Sequence, residues 1–217
     1  GTSGLKNLDN TCDMNSTIQC LSATVPFSRF FTDGRWKSMI NMVNQMETKG
    51  VLVLVFANIL RDMWQGEGGT LAPVTFYCSI CSHAPQFSGL EQHNSQGFLG
   101  FLLDGLHEDL NRILQKWNIE LMPEWEAELE KLPTQIAGKQ EWQIYSMRND
   151  SLIINYFQGQ YWNHMECLMC HKQTSTTYNT FMYLTMPIPT GQASKVTLPQ
   201  CIDVFIKEEV MEKSDAY

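Results

Sequence analysis

The segment from Leu52 to Trp64 constrains the fold of this chain more than any other. Leu52, Val55, Phe56, Ile59, Leu60, Met63 and Trp64 recur at helical spacing and stop at Gly66, Gly68 and Gly69. That period makes an amphipathic helix whose broad apolar stripe has to be buried against other elements. Partners of the same kind lie on both sides. Residues 12–23 are expected to be helical, capped by Asn10 or Thr11, with Met14, Ile18 and Leu21 as the stripe and Pro26 as the limit. Trp36, Met39, Ile40, Val43 and Met46 form a second helical pattern. Residues 94–115 form a longer one, burying Phe98, Leu102, Leu106, Leu110 and Ile113.

The pattern changes twice further on. Residues 119–150 are charged and weakly periodic, with Glu120, Glu124, Glu126, Glu128 and Glu130, and are expected to be a solvated helical excursion. From about residue 158 the chain is rich in Tyr, Thr, Phe and Met, and two antiparallel strands joined at Cys167-Leu-Met-Cys170 are expected. Thr197 then caps a short helix carrying Cys201, Val204 and Phe205. The class is α+β, helical first and β-rich later.

At 217 residues and 43% hydrophobic content the chain can bury a core. Its longest apolar run, Val51 to Ala57, is too short to span a bilayer, and no basic segment leads into an apolar one at the start. A net charge of −8 argues against nucleic acid as the main partner and suits a basic protein. Seven cysteines, two pairs of them spaced CxxC, fit a cytosolic chain with free, metal-bound or catalytic thiols. The chain begins without methionine and ends just after a charged run, so it is expected to be part of a longer protein.

Chemistry concentrates ahead of the first helix, in GLKNLDNTCDMNSTIQC. At about 100° per residue Cys12 lies roughly 160° from Met14, nearly opposite the apolar stripe, so its thiol is expected outside the core. A helix start presents unpaired N–H groups and positive potential, which favour thiolate over thiol. The same groups can serve as an oxyanion hole when that thiolate attacks a carbonyl. Asn7 adds a side-chain amide close in sequence. An ordinary surface thiol remains the alternative on these grounds alone.

These residues resemble the cysteine box of the ubiquitin-specific proteases, Gly-Leu-x-Asn-Leu-Gly-Asn-Thr-Cys-aromatic-Met-Asn-Ser. EQHNSQGFLGFLLDGLHEDLN, residues 91–111, is similar to the family segment Gln-Gln-Asp-x-Gln-Glu-Phe-Leu. FQGQYWNHMECLMCHKQTSTTYNTFMYLTMPIP, residues 157–189, is similar to the opening of the family's zinc-bearing fingers. The three matches occur in the family's order and cover nearly the whole chain.

The resemblance implies a papain-like fold of thumb, palm and fingers. Residues 1–217 would be a partial catalytic domain, with 1–157 a mainly helical thumb and 158–217 the start of the fingers. It implies a thiol hydrolase that cleaves the isopeptide bond after the C-terminal glycine of ubiquitin. Cys12 would be the nucleophile and Asn7 the oxyanion donor. Asn94 and Gly97 would lie in the segment that holds the ubiquitin tail, and Cys167 and Cys170 would supply half of a structural zinc site. Ubiquitin and ubiquitinated proteins are the implied partners and the cytoplasm the implied compartment. LLDGLHEDLN resembles the branch that works at endosomes, which implies recruitment there.

The chain departs from the family pattern in ways that bear on activity. Asp9 stands in place of a glycine and Asp13 in place of an aromatic residue, so both put like charge beside a thiol that has to ionise. Asn94 and Gly97 remove two acidic groups from a segment that reads an arginine-bearing tail. The family's Gly-His-x-aromatic segment, source of the catalytic base, does not occur here. His83, His93, His107, His164 and His171 are expected to be surface or satisfied structural residues. The expectation is a family member that does not hydrolyse ubiquitin conjugates by itself. A non-catalytic ubiquitin-binding domain is the second reading. A third is a zinc-stabilised interaction domain joining Cys78 and Cys81 to Cys167 and Cys170.

Overall fold

Phe56, on the helix that dominates the sequence, is fully buried, and its ring stands edge-on to Phe31 at 5.0 Å. The computed structural model describes residues 3–43, 48–66, 68–89, 91–116, 125, 128, 129, 131–171, 173–189 and 195–211. They fall into two compact units, Gly1–Met182 and Tyr183–Tyr217.

The first unit opens with β1 (Gly4–Leu5) and α1 (Cys12–Ala23), whose Met14, Ile18 and Leu21 are buried as the periodicity requires. α2 (Val25–Thr32) follows at once. α1 ends at Ala23 as expected, and Pro26 sits in the first turn of α2, where a missing N–H loses no hydrogen bond. Phe27 and Phe31, four apart on α2, meet at 5.0 Å, and Phe27 also lies 5.1 Å from Phe157. α3 (Val51–Gln65) buries Leu52, Phe56, Ile59, Leu60 and Met63.

β2 (Thr70–Leu71) pairs in parallel with β1, Gly4 opposite Thr70. α4 (Val74–His83) is not evident in the sequence because Phe76 and Ile80 are its only buried residues. α5 (Ser95–Asp109) packs against α1 and α3 and buries Phe98, Leu102, Leu103 and Leu106. α6 (Thr134–Ser146), α7 (Leu152–Phe157), β3 (Gly159–Glu166) and β4 (Gln173–Phe181) complete the unit. β3 and β4 pair antiparallel from Gly159 opposite Phe181 to Glu166 opposite Gln173, with one irregularity at Met165/Glu166.

Three expectations are corrected here. The pattern from Trp36 to Met46 gives only a 3-10 turn at Arg35–Ser38, after which Met39 and Val43 are exposed. The cause is tertiary: Asn41 N donates to Asp109 O at 2.8 Å and Asn41 Nδ2 donates to Asn111 O at 3.0 Å, which holds this stretch as a loop. Met46 lies outside the described residues. α5 stops at Asp109, short of Ile113, because Asn111 Oδ1 accepts from Ile113 N and Asp150 N and turns the chain.

The charged excursion is not solvated throughout. Most of residues 119–130 lie outside the described residues, but α6 buries Ala137 and Gly138. A Cβ on Gly138 would sit 3.0 Å from the Tyr178 ring, so the glycine admits β4 against α6. Tyr178 Oη donates to Thr134 O at 3.2 Å.

In the second unit α8 (Leu198–Phe205) begins where expected, with Thr197 N donating to Gln200 Oε1 at 2.8 Å. No helix among the described residues is long and apolar enough to cross a membrane.

Candidate active site

The loop Asn7–Thr11 is shaped by its own side chains. Thr11 N donates to Asn7 Oδ1 at 2.9 Å and Thr11 Oγ1 donates to the same oxygen at 3.1 Å. Leu8 N donates to Thr11 Oγ1 at 3.0 Å. A backbone N–H can only donate, so the Asn7 atom facing Thr11 is its carbonyl oxygen, and Nδ2 points the other way. Asp9 and Asn10 take φ of 59° and 60°, left-handed backbone that Asp and Asn tolerate better than most residues. Asp9 thus occupies a conformation that suits the family glycine.

Cys12 opens α1 and is exposed, as its position opposite the stripe requires. Thr11, the cap residue, makes no side-chain bond to the helix because its hydroxyl is engaged with Asn7 and Leu8. The N–H groups of the first turn therefore have no side-chain cap beside the thiol. Asn15 Nδ2 donates to Lys6 O at 3.1 Å and Gln19 Nε2 donates to Ser3 O at 3.0 Å, tying α1 to the strand that precedes the loop.

The start of α5 is brought alongside. Ser16 Oγ and Ser95 Oγ are 3.3 Å apart, and Thr17 Oγ1 donates to Ser95 O at 3.4 Å. Asn94, expected at the tail-binding segment, is the exposed N-cap of α5, its Oδ1 accepting from Gln96 N at 3.0 Å. Gly97 is exposed, and a Cβ there would meet nothing within 4 Å. The fold thus places Asn94 and Gly97 at the end of α5 that touches the Cys12 helix.

Sequence reasoning missed a cleft beside this junction, lined by Asp9, Asp13, Tyr77, Phe87, Glu91 and His93 among others. Asp13 is only 5% exposed, although it precedes the predicted stripe. The Tyr77 phenol lies above its ordinary value, chiefly through a hydrogen bond with Cys81. No periodicity links positions so far apart in the chain.

The histidines divide. His83 Nδ1 contacts Ser79 O at 2.8 Å, His107 Nδ1 contacts Ser151 Oγ at 2.8 Å, and His171 Nδ1 contacts Glu166 Oε1 at 2.8 Å. His164 is exposed and its ring lies 5.5 Å from Trp162. These four match the structural expectation. His93 does not: its Nε2 is buried with no hydrogen-bond partner.

Cys167 and Cys170 lie on the turn between β3 and β4, closed by His171 N donating to Cys167 O at 2.8 Å. The Cys167 thiol is held below its ordinary value, first by the Cys170 N–H, then by the Met169 N–H and the Cys170 thiol. Two sulfurs on one tight turn, that of Cys167 favoured as thiolate, suit half of a tetrahedral zinc site. Among the described residues no three His, Cys, Asp or Glu converge on a metal position. The joint site of Cys78 and Cys81 with Cys167 and Cys170 is therefore not formed. Cys78 and Cys81 belong to α4, where Cys81 Sγ lies 3.7 Å from Phe87 O.

Residues 3–214 match the model of the ubiquitin carboxyl-terminal hydrolase family. The chain belongs to that family. Among its relatives a putative ubiquitin carboxyl-terminal hydrolase 11 of Arabidopsis thaliana is 41% identical over 198 residues, 91% of this chain and 21% of that protein. Human ubiquitin carboxyl-terminal hydrolase 19 is 42% identical over 192 residues, 88% of this chain and 14% of the relative. The chain thus spans about a fifth or less of these hydrolases' length. A solved SAGA DUB module containing Ubp8, bound to monoubiquitin, matches with a TM-score of 0.65 at 17% identity, covering 97% of this chain and 40% of that one. That likeness establishes the fold: this hydrolase-family chain is part of a papain-like ubiquitin-specific protease fold.

Proposed function

We propose that this chain carries the thiol and part of the ubiquitin-tail site of a deubiquitinating cysteine hydrolase, with Cys12 as nucleophile. The carrying observation is the uncapped start of α1, where an exposed Cys12 stands next to a loop that fixes the amide of Asn7. In the reaction the Cys12 thiolate bonds to the carbonyl carbon of the isopeptide. The negative charge formed on oxygen is met by first-turn N–H groups and Asn7 Nδ2. The tetrahedral species then breaks its C–N bond to leave an acyl-thioester, which water hydrolyses.

Two proton transfers in this sequence need a titratable partner, which takes the proton of the thiol as a base and, once protonated, gives it to the leaving amine as an acid. No side chain among the described residues hydrogen-bonds Cys12. The chain by itself is expected not to turn over a ubiquitin–amide reporter, since loss of the base removes several orders of magnitude of rate in such enzymes. An electrophilic ubiquitin probe that labels this chain, and not Cys12→Ala, would support the assignment. Turnover that survives Cys12→Ala would overturn it.

The second reading, a ubiquitin-binding domain without chemistry, is favoured by Asp9 and Asp13 on either side of Cys12. Ubiquitin binding measured by calorimetry, with no labelling of Cys12 by the probe, would select it. Zinc enters either reading as structural only: Cys167 and Cys170 would hold it with two further ligands, and it would fix the β3–β4 turn. Elemental analysis is expected to find no tight stoichiometric zinc on this chain alone.

A further inference from the structure

We propose that Cys78 and Cys81 form a redox-active dithiol that closes reversibly to a disulfide by exchange with a small-molecule disulfide such as oxidised glutathione. The two cysteines are three apart on α4, so they share one face of that helix. Helical geometry separates their Cα atoms by about 5 Å, inside the roughly 4.4–6.8 Å that a disulfide spans. Cys78 is exposed and Cys81 half-buried, so one sulfur meets a reagent from solvent and the other stands beside it. Both are free thiols, and the chemistry proposed for Cys12 uses neither. Among the described residues they are not joined by a third ligand of the kind a metal ion needs.

The exchange balances with no other reactant. The Cys78 thiolate attacks one sulfur of glutathione disulfide, a mixed disulfide forms and one glutathione leaves. Cys81 sulfur then attacks the Cys78 sulfur and releases the second glutathione. Each protein thiol gives its proton to solvent and each departing glutathione thiolate takes one up, so the pair loses two electrons and glutathione disulfide gains them. Closure has a defined consequence in the fold. Cys81 Sγ donates to Phe87 O at 3.7 Å, and a disulfide sulfur has no proton to donate. Phe87 stands edge-on to Phe98 at 5.2 Å and to His93 at 5.4 Å, and lies 5.4 Å from Phe101. The oxidised pair therefore frees the carbonyl of the turn that seats this ring against α5. Helical residues three apart hold their Cβ atoms about 5–6 Å apart, wider than the roughly 3.5–4.5 Å of a relaxed disulfide. Such strain makes a disulfide easier to reduce, so the pair stays open in a reducing compartment and closes under oxidation.

The test equilibrates the 217-residue chain with glutathione buffers of rising disulfide content, blocks free thiols with iodoacetamide and reads the products by mass spectrometry. Trypsin cuts after Arg61 and Arg112, and the peptide between them holds Cys78 and Cys81 and no other cysteine. That peptide is expected to lose two hydrogens and resist alkylation, and to recover both thiols when returned to reduced glutathione. Cys81→Ser keeps a small polar side chain and cannot close the ring. Its glutathione adduct at Cys78 is expected to be at least about tenfold more populated than in the native chain, where the neighbouring thiol displaces it. By NMR the ring signals of Phe87 and Phe98 are expected to shift on oxidation of the native chain and to stay in place in Cys78→Ser, an exposed position that serves if Cys81→Ser does not fold. A glutathione adduct that persists at Cys78 in the native chain would overturn the proposal. So would pairing of either thiol with a different cysteine, or full alkylation of both where exposed Cys20 already carries glutathione. Ring signals that do not move while the disulfide forms would overturn its link to Phe87. Every arm can be run in Cys12→Ala, so the outcome is independent of the role proposed for Cys12.

Discussion

The hydroxyl of Thr11 accepts from Leu8 N and donates to Asn7 Oδ1, and through these bonds it sets which end of the Asn7 amide is turned outward. Thr11→Val keeps the shape and removes both bonds. Stability is expected to fall by about 1–2 kcal/mol, read by denaturant unfolding. Labelling of Cys12 by a ubiquitin probe is expected to slow more than Cys20 labelling by a small alkylating agent, because only the first uses Asn7. Equal slowing of both would remove Asn7 from the oxyanion site. Asn94 and Gly97 allow a second test, since both are exposed and a side chain at position 97 meets open space. Asn94→Asp with Gly97→Glu is expected to tighten ubiquitin binding by about 1.5–3 kcal/mol for each well-formed charged contact, less as salt rises. Unchanged affinity in calorimetry on folded protein would detach α5 from the tail.

Two of the three glycines of α5, Gly97 and Gly105, have opposite consequences. At Gly97 an added methyl group is free, and Gly97→Ala is expected to stabilise the chain by up to about 1 kcal/mol through helix propensity. At Gly105 a Cβ would lie 2.5 Å from Leu52 Cδ2, in the packed seam between α5 and α3, where Leu52 is fully buried. Gly105→Ala is expected to destabilise by about 1–3 kcal/mol despite the same propensity gain. Thermal unfolding of the two variants checks the sign, and a stabilising Gly105→Ala would show that Leu52 repacks at no cost. The helix that looks uniform along its length is thus a free surface at one end and a tight joint further along.

At the scale of the molecule, the C-terminal end of α5 ties distant segments together. Asp109 is fully buried; its Oδ2 accepts from Thr48 Oγ1 at 2.5 Å and from Val53 N at 3.4 Å, at the start of α3. Asn111 Nδ2 donates to Arg148 O at 3.0 Å, and His107 reaches Ser151 and Asn149. Burial holds the His107 imidazole below its ordinary value of 6.5, against the opposing pull of Glu108 and of the Asn149 hydrogen bond. The unfolded chain therefore binds the proton more readily than the folded one. His107 contributes stability that is present above pH 6.5 and is lost as pH falls below it, levelling off under the folded value. Unfolding free energy measured between pH 7.5 and 5.5 is expected to fall more steeply in the native chain than in His107→Gln. Equal slopes would mean that another group dominates. Asp109→Ala, which strands the Thr48 hydroxyl and the Val53 amide, is expected to cost about 2–4 kcal/mol.

The sequence by itself determined what periodicity and local chemistry can express. α1 and α3 carry an apolar stripe at regular spacing, β3 and β4 flank a CxxC turn, and Thr197 with Gln200 starts α8, so each was legible as written. An exposed Cys12 also followed from helical geometry alone. What the tertiary structure decided were events between distant segments. Asn41 satisfies the end of α5 and so remains a loop although its neighbours have helical spacing. α4 and α7 each bury only two residues, too few for a periodic signal. Asp13 reads as an ordinary first-turn acid, and only packing of α4, the Pro85–Phe87 turn and the approach to α5 around it makes a buried carboxylate in a cleft. A local pattern fixes which face of an element is apolar, but the groups that converge on a site come from the whole chain, and their distances exist only once the core has closed.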